Sequence, residues 1–166
     1  MELATYCPDD VSVLVAGFLK LDGFIDGTFI NVSKNLQPFS SRRTSDGTVS
    51  RLYNNDQTYT VQITVHSGSR TNDILTKLSQ IDEIIQKGKF PLLIKDHSGT
   101  DLFFSTSTWI EQYPDMVKSA GIDERIWVLI SSQAFINVGG NQDASSLLRD
   151  LINIASSAAP ILNGIV

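Results

Sequence analysis

Cysteine is nearly missing from this chain. Cys7 stands alone among 166 residues, which forbids an internal disulfide and removes any thiolate cluster for a metal. Histidine is almost as scarce. His66 and His97 form neither an H-x-x-x-H nor an H-E-x-x-H pair, so a zinc ion would need ligands gathered from unrelated loops. No apolar run approaches the roughly 18 residues of a membrane span. The opening Met1-Glu2-Leu3-Ala4-Thr5-Tyr6 lacks the basic and apolar regions of a secretory signal, so we expect a chain made in a cytosol, with no membrane anchor. Basic residues are in deficit: 13 Lys and Arg face 18 Asp and Glu, a formal charge of −5, which argues against tight binding to a nucleic-acid backbone.

Catalytic signatures are absent as well. The chain has no G-x-S-x-G elbow, no G-x-x-x-x-G-K-[ST] phosphate loop and no G-x-G-x-x-G. Asp9-Asp10, Asp82-Glu83 and Asp123-Glu124 are adjacent pairs that suit solvated faces or helix caps, not carboxylates converging on a substrate. No enzyme, cofactor or metal is expected. What is present, 42% hydrophobic and 19% charged residues in a chain of this length, fits one ordinary globular domain that buries about 70% of its unfolded surface.

Alternation of apolar and polar residues predicts a mainly β chain. Val11 to Leu19 reads as a central strand, with tight turns following at Asp22-Gly23 and Asp26-Gly27. Thr28 to Ser33 reads as a strand. From Lys34 the alternation fades until Asp46-Gly47 and Thr48 to Leu52, which predicts a long hairpin projecting beyond the body, too poor in apolar residues to order itself without a partner. Lys34, Phe39, Arg42, Arg43, Asp46, Gly47 and Arg51 are its candidate contact residues. Gln57 to His66 is the cleanest strand, with Tyr59, Val61, Ile63 and Val65 on the core face.

Ile74, Leu75, Leu78, Ile81 and Ile85 recur at helical spacing and predict a flanking helix, capped by Thr71 or Asn72 and closed at Lys87-Gly88. Phe90 to Lys95 and Thr100 to Ser105 read as paired strands, extended by Trp109-Ile110 through a bulge, and Arg125 to Phe135 as another strand. After Gly139-Gly140 the character changes. Leu147, Leu148, Leu151 and Ile152 make a second helical stripe, so residues 1–140 are read as a β domain and 141–166 as a C-terminal helical extension packing through that stripe. The expected fold is an antiparallel β-sandwich or barrel with one flanking helix and a helical tail. Trp109 and Trp127 suit core or interface positions, and a monomeric carbohydrate-binding sandwich using Trp109 or Trp127 is the alternative functional reading.

Pro8-Asp9-Asp10-Val11, Val15-Ala16-Gly17, Gly23-Phe24-Ile25-Asp26-Gly27-Thr28-Phe29-Ile30, Ser45 to Arg51, Thr60 to Val65, Asn72-Asp73-Ile74-Leu75, Phe90 to Asp96 and Phe135 to Gly140 form an ordered series. It resembles the tail tube proteins of contractile-tailed bacteriophages, which are related to type VI secretion tube proteins. The resemblance implies six-membered rings that stack into a hollow tube inside a contractile sheath, with the 34–51 hairpin reaching the adjacent ring. The implied partners are copies of the same chain, the tail sheath protein, and the baseplate or tube-initiator and tail-terminator proteins. DNA passes through the lumen without specific binding, and the implied location is the virion tail. The segment after Gly140 departs from the pattern.

Overall fold

The computed structural model describes residues 6–140 and 152–153. A short 3-10 turn at Pro8–Asp10 leads into β1 (Val11–Val15), whose Val13 and Val15 are fully buried. The strand then ends, where the sequence predicts that it runs on to Leu19. Ala16 and Gly17 both take positive φ, 56° and 83°, and the chain reverses into β2 (Leu19–Lys20), with Val15 opposite Leu19. Two consecutive left-handed residues make a tight reversal whose twist suits paired strands.

β3 (Ile30–Lys34) follows an irregular stretch, and the chain then leaves the body as a ribbon of β4 (Phe39–Arg43) and β5 (Val49–Tyr53). It returns in β6 (Tyr59–His66), where Tyr59, Val61, Ile63 and Val65 are all buried, as period-two patterning dictates. After α1 (Thr71–Ile85) come β7 (Phe90–Asp96), the long β8 (Leu102–Gln112), β9 (Glu124–Ser131) and β10 (Ala134–Asn137). The expected single strand from Arg125 to Phe135 is thus divided at Ser132-Gln133. The kink is held by Ser105 Oγ–H donating to the Gln133 carbonyl at 2.7 Å and by Ser132 N–H donating to the Ser107 carbonyl at 3.0 Å.

These strands make one antiparallel sheet ordered β2-β1-β7-β8-β9-β6-β3, with β10 also on β8, and the β4–β5 ribbon stands apart as a sheet of its own. β8 changes neighbours along its length. Its first half lies between β7 and β10, and from Thr108 onward it pairs with β9, with irregular register at Phe90/Leu92 and at Ile110/Gln112. Bulges of this kind bend a strand. The sheet curls until Tyr59 of β6 meets Phe103 of β8 edge-on at 5.7 Å, and its inner face closes on a single core that includes Val13, Val61, Ile63, Leu92, Trp127 and Leu129. Among the described residues the chain is mainly antiparallel β with one long helix, α1.

The helix start differs from expectation in its chemistry. Neither Thr71 nor Asn72 caps it: Arg70 holds the cap position without a side-chain bond, and Ser69 Oγ accepts the Thr71 N–H at 3.1 Å. Thr71 is fully buried and its hydroxyl donates to the Asp22 carbonyl at 2.7 Å, tying the helix to the segment after β2. The end comes at Gln86 in the left-handed region, φ 57°, and Gly88 N–H donates to Asp82 Oδ1 at 2.7 Å.

Candidate assembly surfaces

The β4–β5 ribbon places Phe39, Arg42 and Arg43 on one strand and Arg51 on the other, with Asp46 and Gly47 in the connecting turn. Lys34 lies elsewhere, at the end of β3, its ammonium 5.6 Å from the centre of the Tyr59 ring. Pairing of Phe39 with Tyr53, Ser41 with Arg51 and Arg43 with Val49 puts these six side chains on one face, and Arg42 and Leu52 on the other. The Phe39 and Tyr53 rings meet at 5.5 Å, and the Arg51 guanidinium lies 3.5 Å over the Phe39 ring. All ten strand residues are exposed on both faces.

Local hydrogen bonds shape the tip. Thr44 N–H donates to the Thr48 carbonyl at 2.9 Å, Thr48 N–H donates to Asp46 Oδ1 at 3.1 Å, and the Thr44 hydroxyl donates to the same carboxylate. The Thr44 hydroxyl first, then the Thr48 amide, holds the Asp46 carboxyl below its ordinary value. Gly47 supplies the positive φ, 86°, that the turn requires. The ribbon carries three arginines against one aspartate in a chain whose formal charge is −5. An isolated two-stranded hairpin is marginal in water, and this one presents aromatic and cationic side chains that pack on one another and are exposed among the described residues.

The core-strand residues Tyr59, Val61, Ile63 and Val65 lie inside the subunit, while the flanking-helix residues divide. Leu75 is fully buried, and Ile74 and Leu78 pack partly on the core. Ile81 and Ile85, expected on the packed side, are exposed, and so is Ile84 at 82%. The reason is rotation about the helix axis. The face set into the sheet is Thr71, Asn72, Leu75 and Ser79. At about 100° per residue, it lies roughly a quarter turn from the Ile74-Leu78-Ile81-Ile85 stripe. Polar groups can occupy that buried face because they are bonded there, Asn72 to Trp127 and Thr71 to Asp22.

A cavity of about 350 Å³ opens between the strand edges, lined by Val11, Ile30, Val32, Ile94, Phe103 and Ile136 among others. Trp127 is core, 2% exposed, and Trp109 bonds its own strand neighbour Glu111, Nε1–H to Oε2 at 2.9 Å. His97 Nε2 lies 2.9 Å from the Ser12 hydroxyl, and Cys7 carries a free thiol. Among the described residues no group of three or more His, Cys, Asp or Glu is gathered to hold a metal. Leu147, Leu148 and Leu151 of the C-terminal stripe lie outside the described residues. Ile152 is described, in helical conformation and 64% exposed.

Sequence analysis missed the exposure of Ile81, Ile84 and Ile85 on the helix and of Met116, Val117 and Ile122 in the 113–123 loop. The only signal for the loop was this cluster of apolar residues in a segment without strand or helix periodicity.

The chain is 28% identical over 156 residues to structural protein ORF10 of Pseudomonas phage KPP10, covering 90% of each. No protein-family model matches. Among solved structures, the anti-feeding prophage cap, a tube-terminating cap, aligns with a TM-score of 0.51 at 11% identity, over 83% of this chain and 94% of that one, a likeness of fold. The sheath/tube terminator of the extracellular contractile injection system PVC, in its extended state, aligns at 0.46 and 12% identity over 81% of this chain and 97% of that one.

Proposed function

We propose that this chain is a structural subunit of a bacteriophage contractile tail, a tube protein whose copies form stacked rings, six to a ring, around a lumen that conducts DNA during genome ejection. The observation that carries this reading is the β4–β5 ribbon, ordered in backbone pairing yet exposed on both faces, with Arg42, Arg43 and Arg51 beside Phe39 and Tyr53. Such a surface is completed by a partner. A net-acidic neighbour of the same kind supplies the opposite charge. The ordered sequence resemblance to tail tube proteins supports the reading, as does a phage structural protein at 28% identity over most of the chain.

The mechanism is passive. An acidic wall repels phosphate and keeps DNA from pausing, and the arginines are spent on contacts between rings. The sheath outside, an initiator at the baseplate and a terminator at the far end are the further partners, with the virion tail as location. The proposal extends to residues 141–166, which lie almost wholly outside the described residues: their suggested role is to pack across the outside of the same or a neighbouring subunit. A second reading follows from the fold likeness to a tube-terminating cap: a subunit that closes a tube, forming one ring that does not stack on itself. A carbohydrate platform is left with Trp109 alone, since Trp127 is sealed in the core.

The test is the double variant Arg42→Glu, Arg43→Glu, followed by sedimentation velocity. Loss of stacked species with unchanged circular dichroism supports the reading. Normal polymerisation of the double variant overturns the ribbon's role in it.

A further inference from the structure

Two exposed apolar surfaces flank α1, and they lie on opposite sides of it. The first is the stripe of Ile81, Ile84 and Ile85, with Arg70 and Lys77 beside its N-terminal continuation and Asp73 further round. The second is the loop from Tyr113 to Asp123. Tyr113 Oη–H donates to Glu83 Oε1 at 3.1 Å near the helix C-terminus, and Ser67 N–H donates to the Asp123 carbonyl at 2.8 Å just before its N-terminus. The loop is therefore anchored near both ends of the helix, and its Tyr113 end lies on the Glu83 side, roughly 150° around the axis from the centre of the isoleucine stripe. It exposes Met116, Val117 and Ile122, and in and beside it Asp115, Asp123 and Glu124 outnumber Lys118.

We propose that these two surfaces are the halves of one head-to-tail contact, the isoleucine stripe of one copy docking on the 113–124 loop of the next copy in the same ring. This rests on the ring-building reading above and names its lateral interface. The occupant is a second copy because the patches complement each other in order as well as in kind. The loop is anchored near both ends of the helix that carries the stripe. Two copies side by side in one orientation set the apolar end, Ile81 to Ile85, against Met116 and Val117. The same placement sets Arg70 at the other end against Asp123 and Glu124. Unlike patches on opposite flanks cannot form a two-fold dimer. They repeat from copy to copy and close into a ring when the rotation permits.

The experiment uses heterotypic mixing, with Arg42→Glu and Arg43→Glu in every sample so that stacking is removed and the lateral contact acts alone. A stripe variant carries Ile84→Asp and Ile85→Asp, and a loop variant carries Met116→Asp and Val117→Asp. All four positions are exposed, and circular dichroism melts verify the fold. The parent is expected to form rings, and each variant to run as a monomer in native mass spectrometry. The equimolar mixture, which retains one intact stripe and one intact loop, is expected to shift to the mass of two chains. Rings from either variant, or a mixture that stays monomeric while the parent forms rings, overturn the head-to-tail contact and leave the tube reading standing. A parent and an unmutated chain that both stay monomeric overturn the tube reading together with this contact.

Discussion

Trp127 donates its indole N–H to Asn72 Oδ1 at 2.9 Å, joining the middle of β9 to the first turn of α1 inside the core. The Asn72 amide nitrogen in turn donates to the carbonyls of His66 at 3.1 Å and Ser69 at 3.2 Å, so one buried side chain fixes helix, turn and sheet. Asn72→Leu leaves the indole N–H and two carbonyls without that partner. The expected loss is about 2–3 kcal/mol in urea unfolding. A midpoint equal to that of the native chain contradicts this account of the helix anchor.

Gly23 has a positive φ of 72°, and a methyl group there would meet the Ser69 side chain and approach His66 Nε2 at 2.9 Å. Ser69 cannot swing aside without releasing the Asp22 carbonyl, to which its hydroxyl donates at 2.7 Å. Gly23→Ala combines backbone strain with overpacking, for a loss of roughly 2–4 kcal/mol. Thermal unfolding measures it, and an unshifted midpoint speaks against the fit described.

Ile63 is fully buried at the centre of β6, between β3 and β9. Ile63→Asp places an unpaired carboxylate in the core and costs about 3 kcal/mol or more. The same change at Val61 acts alike. Soluble, cooperatively folding protein at native yield from either variant is the outcome this core does not allow.

Asp46 titrates below its ordinary value because the Thr44 hydroxyl and the Thr48 amide bond its ionised form. A carboxyl depressed in the folded state stabilises the turn above its unfolded pKa of about 3.9. That contribution disappears as pH falls through the lower folded value. The Thr48 amide resonance is therefore expected to hold steady from pH 7 to pH 5 and to move on acidification below pH 4. A Thr48 shift unchanged down to pH 2 contradicts the bond.

Truncation at Asn141 tests the proposed packing of residues 141–166 outside the tube. The shortened chain is expected to keep the β domain folded and to assemble less well with sheath, as sedimentation with sheath protein reports. Normal tubes and normal contraction from the truncated chain remove that role.

The body of the fold was legible where one face of an element meets the core and the other meets water. Tyr59, Val61, Ile63 and Val65 announce β6 by simple alternation, and Asp46-Gly47 announces a turn. β4 was harder to read, because Phe39-Ser40-Ser41-Arg42-Arg43 has no buried face and owes its extended form to backbone pairing with β5. The reversal at Ala16 was hidden because alanine rarely takes positive φ. Helical spacing located α1 but misassigned its packed face: the buried set includes Thr71, Asn72 and Ser79, whose long-range hydrogen bonds have no signature in local sequence. The displaced isoleucines Ile81 and Ile85 are thereby left exposed among the described residues.

Negative-stain electron microscopy of the purified, unmodified chain at high concentration tests the central claim most directly. Hollow rings, alone or stacked into tubes of constant bore, are the predicted images, and stacks separate a tube subunit from a terminating cap. A field of single compact particles, with monomer mass at every concentration, contradicts the account.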